Sequence, residues 1–288
     1  MKSIIEVKSL EKRYGENNVL KGISFDVMQG EIFALLGTNG AGKTTTLECI
    51  EGIRKYQSGH IHVNGKIGVQ LQSTSLPEHM KAFEALRLFS KWSRTTVDMD
   101  FVRRLGLEEI KNKAYKDMSA GQKRRLHLAL AMIGDPDIVF LDEPTAGLDV
   151  EGRAALHTEI RTLKQQGKTV ILASHDMAEV ESLCDRIAIL KDGRIAFIGT
   201  ANELTEQLQD TFKILIKLSK SIPFDEIKSC TRLRNNQGYE VFETDSLEDG
   251  LAELLAAAKA QGVHVRDINI EHANLEQRFL DIAKEGKS

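Results

Sequence analysis

The sequence predicts an α/β fold built around a parallel sheet, with a smaller α+β domain after it. Strand patterns at residues 31–36, 138–141 and 170–173 alternate with helical patterns, as in parallel strands that are joined by helices. A glycine-rich loop follows the first of these strands and opens a helix. The 288 residues are 41% hydrophobic and 28% charged, so the chain can bury a large core without a disulfide or a metal.

The segments around the loop complete this core. Strand patterns at residues 4–10 and 23–27 indicate an antiparallel β unit at the N-terminus. Asn64-Gly65 joins two short strands, residues 61–63 and 66–69, in a pattern that is typical of a hairpin.

Two more features belong to the same predicted domain. Helical periodicity covers residues 82–134 and predicts an inserted helical subdomain. After a strand at residues 187–190, Asp192-Gly193 indicates a hairpin that leads to a strand at residues 195–198.

The glycine-rich loop matches the phosphate-binding pattern G-x-x-x-x-G-K-[ST] at every fixed position. Its successive N–H groups can point at one anion, supported by the positive end of the following helix. We expect Lys43 to reach the β- and γ-phosphates and the Thr44 hydroxyl to hold Mg²⁺. The core is therefore predicted to be that of a P-loop NTPase. The residues expected to bind the nucleotide here are Gly37, Thr38, Asn39, Gly40, Ala41, Gly42, Lys43, Thr44 and Thr45.

Two acidic residues, Asp142 and Glu143, follow the hydrophobic residues 138–141, and Asp137 precedes them. Parallel sheets place their functional groups at the carboxyl ends of strands, so these acids are expected beside the loop. Asp142 would bind in the Mg²⁺ shell, and Glu143 could polarise an attacking water. The loop and the acids together predict nucleotide hydrolysis.

With these motifs, residues 1–205 resemble the ATP-binding subunit of ATP-binding-cassette (ABC) transporters. Met118-Ser-Ala-Gly-Gln122 is similar to the signature of that family, usually written Leu-Ser-Gly-Gly-Gln. The segment that ends in Asp149 resembles its D-loop, and His175 resembles its switch histidine. Tyr14 matches the aromatic residue that stacks on adenine.

The resemblance also covers the loop after residue 69. Gln72 falls where the family has its Q-loop, with Gln70 as the alternative. The family role implied for Gln72 is to contact Mg²⁺, to support catalysis and to act as the hinge between the two lobes. His175 is implied to bond the γ-phosphate and to sense its loss.

The resemblance implies that two chains meet head to tail around two ATP molecules. Ser119 and Gly121 would then reach the γ-phosphate held by the other chain, with Gln122 and Asp149 beside them. Separately encoded transmembrane permease subunits would complete the transporter, because no apolar run here approaches the ~18 residues of a membrane span.

Physical chemistry supports the signature independently. Ser119 followed by Gln122 is a capping-box pattern, which predicts the start of a helix. Lys123, Arg124 and Arg125 crowd its first turn, where the helix dipole prefers acids. A docked anion would explain this charge, and a solvated basic patch is the alternative.

One residue departs from the family pattern. Ala120 stands where the first signature glycine is expected. An added methyl group matters little at a negative φ and more at a positive φ. We expect turnover that is reduced or unchanged, and not lost.

Residues 206–288 predict an accessory α+β domain. Strands at 212–218, 231–234, 239–244 and 263–270, with helices at 223–229 and 247–260, give the β-α-β-β-α-β order of ferredoxin-like domains. A final helix would carry Leu275, Phe279 and Ile282 on one face. This extension resembles that of ABC-2-type exporters of drugs and antibiotics.

Charge and cysteine content bound the location and the partners. The net charge is −3 with no basic face, so no nucleic-acid partner is expected. The three cysteines are far apart in the chain and in no metal-ligand spacing, as expected in a reducing compartment. We expect a cytoplasmic protein, bound at the inner face of the cell membrane.

Three other functions stay open at this point. The first is a soluble ABC ATPase that acts on nucleic acid or the ribosome. The second is a P-loop kinase or GTPase, although the guanine-reading Asn-Lys-x-Asp is missing because Ala114-Tyr115 follows Asn112-Lys113. The third is a subunit that binds ATP as a gate without hydrolysing it.

Overall fold

The computed structural model describes residues 2–70, 76–206, 212–220, 227–233 and 238–272. The chain divides into two compact units, Met1–Thr200 and Ala201–Ser288. Among the helices in the described ranges, none is both long and apolar enough to cross a lipid bilayer.

The first unit combines an antiparallel sheet of three strands with a sheet of six strands that is mostly parallel. Its elements are β1 (Ser3–Tyr14), β2 (Asn17–Met28), β3 (Ile32–Leu36), α1 (Lys43–Ile50), β4 (Ser58–Val63), β5 (Ile67–Gln70), α2 (Ala82–Trp92), α3 (Met99–Arg104), a 3₁₀ turn (Tyr115–Asp117), α4 (Ala120–Ala131), β6 (Ile138–Asp142), α5 (Val150–Gln165), β7 (Thr169–Ser174), α6 (Met177–Leu183), β8 (Arg186–Lys191) and β9 (Arg194–Gly199).

The strand order β5-β6-β7-β3-β8-β9 positions the candidate site. All neighbours are parallel except β9, which pairs antiparallel with β8 and confirms the predicted Asp192-Gly193 hairpin. Every residue of β3 and β6 is buried, which explains their continuous apolar runs. Because β7 lies between β3 and β6, the segments that follow these three strands emerge side by side.

The faces of the six-stranded sheet carry separate hydrophobic cores. On one face, Leu141 of β6 packs in a core with residues of α2, α4 and α5. On the other face, Phe140 shares a core with Leu47 of α1 and with the three-stranded sheet. The inserted helical block therefore has its own side of the sheet, as the predicted α/β core requires.

The hairpin predicted at Asn64-Gly65 is wrong. β4 pairs with β1, whereas β5 pairs with β6 in the other sheet. The link between them is held by Asp137, whose Oδ2 accepts a hydrogen bond from the Lys66 backbone N–H at 2.8 Å. A Cβ on Gly65 would lie 3.0 Å from the Asp137 Cβ, and its φ is +150°. Gly65 therefore lies in a connection between the two sheets and not in a tight turn of a hairpin.

The second unit contains α7 (Ala201–Glu206), β10 (Phe212–Leu218), β11 (Thr231–Arg232), β12 (Glu240–Thr244), α8 (Leu247–Ala260) and β13 (Val265–His272). The antiparallel order β11-β12-β10-β13 puts β10 between the two strands that α8 connects. This interleaving is the split arrangement of the ferredoxin-like pattern. The predicted helix at residues 223–229 falls largely outside the described residues, and the predicted final helix falls wholly outside them.

We predict that Gly68→Ala destabilises the first unit. A Cβ at Gly68 would lie 2.1 Å from the carbonyl oxygen of Ala131 and 2.9 Å from Pro136 Cγ. Forcing such an overlap typically costs about 1–3 kcal/mol of unfolding free energy. Thermal unfolding should show a lower Tm for Gly68→Ala. Lys66→Ala, which trims an exposed side chain and keeps the backbone bonds, is the control, and equal Tm values for the two variants would contradict the prediction.

Candidate functional site

The glycine-rich loop connects β3 to α1 and leaves the start of that helix open. α1 begins after Gly42, whose φ is +110°, with no side-chain cap and no acidic residue in its first turn. The N–H groups of the first turn are thus available to an anion. Gly37 lies against β8, where a Cβ would come within 2.5 Å of the Leu190 carbonyl oxygen.

Lys43 lies inside this loop and is 7% exposed. Its Nζ donates to the carbonyl oxygen of Gly37 at 2.8 Å. Burial lowers the pKa of Lys43, and the neighbouring Glu143 and Asp142 act in the opposite direction. The ammonium group is therefore held by backbone oxygens that a phosphate could replace.

The side chain of Asp142, at the carboxyl end of β6, contacts the side chain of Thr44 in the first turn of α1. The Thr44 hydroxyl donates to Asp142 Oδ2 at 3.0 Å, while Asp142 Oδ1 is buried and has no hydrogen-bond partner in the part of the chain that the structure describes. Burial raises the pKa of Asp142, although the Thr44 bond lowers it. A hydroxyl beside an unsatisfied carboxylate oxygen fits the hard oxygen coordination that Mg²⁺ prefers.

Glu143 and His175 contact each other next to this pair. His175 Nδ1 lies 2.8 Å from Glu143 Oε1, with the histidine side chain 61% exposed and the glutamate 10% exposed. Glu143 has φ of +49°, in the left-handed region. Such a backbone costs of order 1–3 kcal/mol and is found mainly at functional sites.

A cavity of about 520 Å³ brings most residues of the predicted phosphate loop together with Asp142 and Glu143. Its lining residues are Asn17, Val19, Asn39, Gly40, Gly42, Lys43, Thr44, Thr45, Asp142 and Glu143. Gly37, Thr38 and Ala41 support the loop behind it, with the Ala41 N–H donating to Thr38 O at 3.1 Å. Asn17 and Val19 escaped the sequence analysis because no motif marks them; they come from β2 of the other sheet.

A second cavity, of about 480 Å³, is lined by part of the predicted signature, residues 119–121, and by part of the predicted D-loop, residues 147–149. Ser119 and Gly121 line it together with Asp149, and the two cavities share no lining residue. Ser119 caps α4 as predicted: its Oγ accepts from the Gln122 N–H at 3.2 Å, and Gln122 Oε1 accepts from the Ser119 N–H at 3.1 Å. Gln122 is therefore engaged in holding the helix start.

The residues that follow Ser119 bear on the alanine in the predicted signature and on the basic residues in the first turn of α4. Ala120 is the first residue of α4 and is absent from the residues with positive φ, so its methyl group fits. Lys123 Nζ lies 4.8 Å from the centre of the Tyr115 ring, and Arg125 donates to the Leu105 carbonyl oxygen at 3.0 Å. These two basic side chains thus have partners within the chain.

Tyr14 and the two candidates for the Q-loop glutamine are the next predicted positions. Tyr14 is 40% exposed, lines neither cavity and has Lys12 Nζ at 4.6 Å from its ring centre. Gln72 lies outside the described residues. Gln70, the alternative, is 2% exposed at the end of β5, and its side-chain amide has no hydrogen-bond partner among the described residues.

Glu51, at the end of α1, is an acid that the sequence analysis missed. It is half-buried, and its Oε2 has no hydrogen-bond partner within the described ranges. Burial, followed by the repulsion of Asp142 and Glu48, raises the pKa of Glu51 to about 7. The charged form of Glu51 is therefore unfavourable in the folded chain, mainly because of burial.

Comparisons with known proteins agree on one family. A family model described as ABC transporter matches residues 20–146. The chain is 37% identical to an uncharacterized ABC transporter ATP-binding protein of Methanocaldococcus jannaschii, over 78% of this chain and 89% of that protein. It is 31% identical to the linearmycin resistance ATP-binding protein LnrL of Bacillus subtilis, over 97% and 98%. A solved ATP-binding subunit of an ABC transporter superposes with a TM-score of 0.64 at 29% identity, over 71% of this chain and 93% of that one.

We predict that Glu51 makes stability fall as pH rises. Between its ordinary pKa of 4.5 and about 7, the folded chain keeps a proton that the unfolded chain has lost. Folding therefore becomes less favourable across this window, by at most about 3 kcal/mol above pH 7. Glu51→Gln should be more stable than the parent at pH 8, with the difference vanishing towards pH 4.5.

The measurement is urea unfolding at pH 5 and pH 8 without magnesium or nucleotide. Glu16→Gln, at an exposed carboxylate, should follow the parent at both pH values. A stability difference for Glu51→Gln that does not change with pH would refute this assignment.

Proposed function

The chain belongs to the ABC transporter family as an ATP-binding subunit that hydrolyses ATP for transport, and we propose that two such subunits close around two ATP molecules to power an exporter. The observation that carries the proposal is the division of the predicted ATP contacts between two cavities with no common residue. One cavity contains phosphate-loop residues with Asp142 and Glu143, and the other contains Ser119, Gly121 and Asp149.

The cavity beside Lys43 would bind the phosphates and the metal. Lys43 would exchange the Gly37 carbonyl for phosphate oxygens, and the open start of α1 would donate N–H groups. Thr44 and Asp142 would hold Mg²⁺, which neutralises charge that develops on the phosphates. We also propose Gln72 for this metal shell and Tyr14 for stacking on adenine.

The cavity beside Ser119 would complete the site of the other subunit. In a head-to-tail pair, the N-terminus of α4 would face the γ-phosphate bound to the partner, where its dipole favours negative charge. Ser119 and Gly121 would contact that phosphate, with Gln122 fixing the helix start and Asp149 beside it.

The reaction would then be an in-line attack of water on the γ-phosphorus. The proton of the water goes to Glu143, and ADP carries away the electrons of the broken P–O bond. His175, in contact with Glu143, would bond the γ-phosphate and respond when it leaves.

The transport role follows from the relatives. The protein named for linearmycin resistance matches this chain along almost its whole length, including the second unit. We therefore propose that the chain serves an exporter of drug-like or antibiotic molecules, at the inner face of the membrane, with separately encoded permease subunits. Export of such a molecule, lost on deletion of this chain, is the cellular test.

We predict that Glu143→Gln abolishes steady-state ATP hydrolysis, with a loss of at least about 100-fold, while ATP still binds. The amide keeps the size of the side chain and removes the proton acceptor. Phosphate release measures hydrolysis, and equilibrium binding measures ATP affinity. Glu181→Gln, at an exposed carboxylate of α6, is the control, and unchanged hydrolysis in Glu143→Gln would remove Glu143 as the base.

We further predict that Glu143→Gln dimerises when Mg·ATP is saturating. Blocked hydrolysis should hold the pair closed. Light scattering should then detect a doubled mass for the free chain, and two copies of the chain should be paired in the complex with the permease. A bulky residue at the α4 start, as in Ser119→Phe, should prevent this doubling. A Glu143→Gln chain that stays monomeric under both conditions would end the closure proposal without affecting the assignment of the phosphate cavity.

A further inference from the structure

A buried polar cluster lies behind His175 and plays no part in the mechanism above. Glu179 of α6 has a fully buried side chain, as does Ser174 at the end of β7. The Ser174 hydroxyl donates to Glu179 Oε2 at 2.6 Å. A buried carboxyl group is costly without partners, so this bond carries much of its compensation.

The other oxygen of this carboxyl group has no comparable partner. Among the described residues, Glu179 Oε1 makes no hydrogen bond, and His157 Nε2 of α5 lies 3.5 Å from it. Burial lowers the pKa of His157, although the charge of Glu179 acts in the opposite direction. The bond to Ser174 is therefore the one short hydrogen bond of the Glu179 side chain within the described residues.

The hydroxyl group that is bonded to Glu179 also holds the backbone beside His175. Its Oγ accepts from the Asp176 N–H at 3.1 Å, so the donor role of the hydroxyl is committed to Glu179. Asp176 in turn caps α6, accepting from the Glu179 N–H at 3.1 Å, and its Oδ2 accepts from Arg153 of α5 at 2.7 Å. Both neighbours of His175 are thus fixed, although His175 itself is 61% exposed.

We propose that Glu179 is a positioning residue for hydrolysis: through the Ser174 hydroxyl it fixes the loop that directs His175 to Glu143. The exposed imidazole makes one hydrogen bond in the described chain, the 2.8 Å contact with Glu143. Its direction depends on the backbone that Glu179 holds from behind. The inference rests on the role proposed above for His175.

The test compares Glu179→Met with Glu179→Gln in the full chain. Methionine has a similar length and cannot accept the Ser174 hydrogen bond, whereas glutamine keeps an acceptor oxygen. We expect Glu179→Met to lower kcat by roughly 10- to 100-fold with ATP affinity unchanged, because a small misplacement of a group near the reaction has that effect. Glu179→Gln should keep most of the kcat, and Glu181→Met, at an exposed position of the same helix, should match the parent.

A spectroscopic readout separates positioning from general damage. The ring signal of His175 in a ¹H–¹³C NMR spectrum, assigned by its absence from His175→Ala, should move in Glu179→Met and stay in Glu179→Gln. If Glu179→Met does not fold, Ser174→Ala serves instead, since it removes the donor and keeps the carboxyl group. Parent-like kcat and an unmoved His175 signal in the folded variant would overturn the inference.

His175→Ala distinguishes this inference from the proposed function. Full hydrolysis in His175→Ala would remove the role of His175 itself, and with it the premise. Lost hydrolysis in His175→Ala with parent-like hydrolysis in Glu179→Met would overturn the positioning role alone. In the double variant, Glu179→Met should add little to the loss caused by His175→Ala, and an additive loss would count against the inference.

Discussion

The hydrogen bond from Thr44 to Asp142 connects the phosphate loop with the acidic residues of the candidate site, because it links α1 to the end of β6. It can form only if β3 and β6 end at the same edge of one sheet with β7 between them, as the observed strand order provides. The fully buried strands and the two cores on either face keep that edge in register. A hydroxyl and a carboxylate held in this way present oxygen ligands before a metal arrives.

Several costs of folding are concentrated at this edge. Glu143 adopts a left-handed backbone, Asp142 Oδ1 lacks a partner, and Lys43 is almost fully buried. Glu51, at the other end of α1, adds a carboxyl group whose pKa is raised to about 7 by burial and neighbouring acids. A magnesium–phosphate complex would offset the burial of the Asp142 carboxylate and of the Lys43 ammonium group, because it carries both signs of charge.

The parts of this site that the sequence could predict are those with short-range signals. The phosphate loop, the acids after β6 and the capping box at Ser119 each occupy a few consecutive residues whose chemistry is readable without a fold. Asn64-Gly65 failed because a local turn signal does not say which strand each neighbour pairs with; the contact with Asp137 decides that. Asn17 and Glu51 escaped notice for the same reason, since residues far away in the chain lie beside them. Glu179 escaped because its bond to Ser174 matters only once both side chains are buried, which no local motif indicates. The ferredoxin-like order was predictable because β10 alternates between buried and less buried residues, and because α8 has a strong local helical pattern between two strand patterns.

The separation of the two cavities has a consequence for how the proposed pair would work. The start of α4 carries no acidic residue in its first turn, so what would attract it to the partner subunit is the charge of a triphosphate. Closure would therefore depend on the γ-phosphate being present. After hydrolysis the phosphate would leave, and the positive end of the helix would lose the charge that attracts it most strongly. The attraction between the two subunits would then weaken, so loss of the γ-phosphate would allow the pair to open.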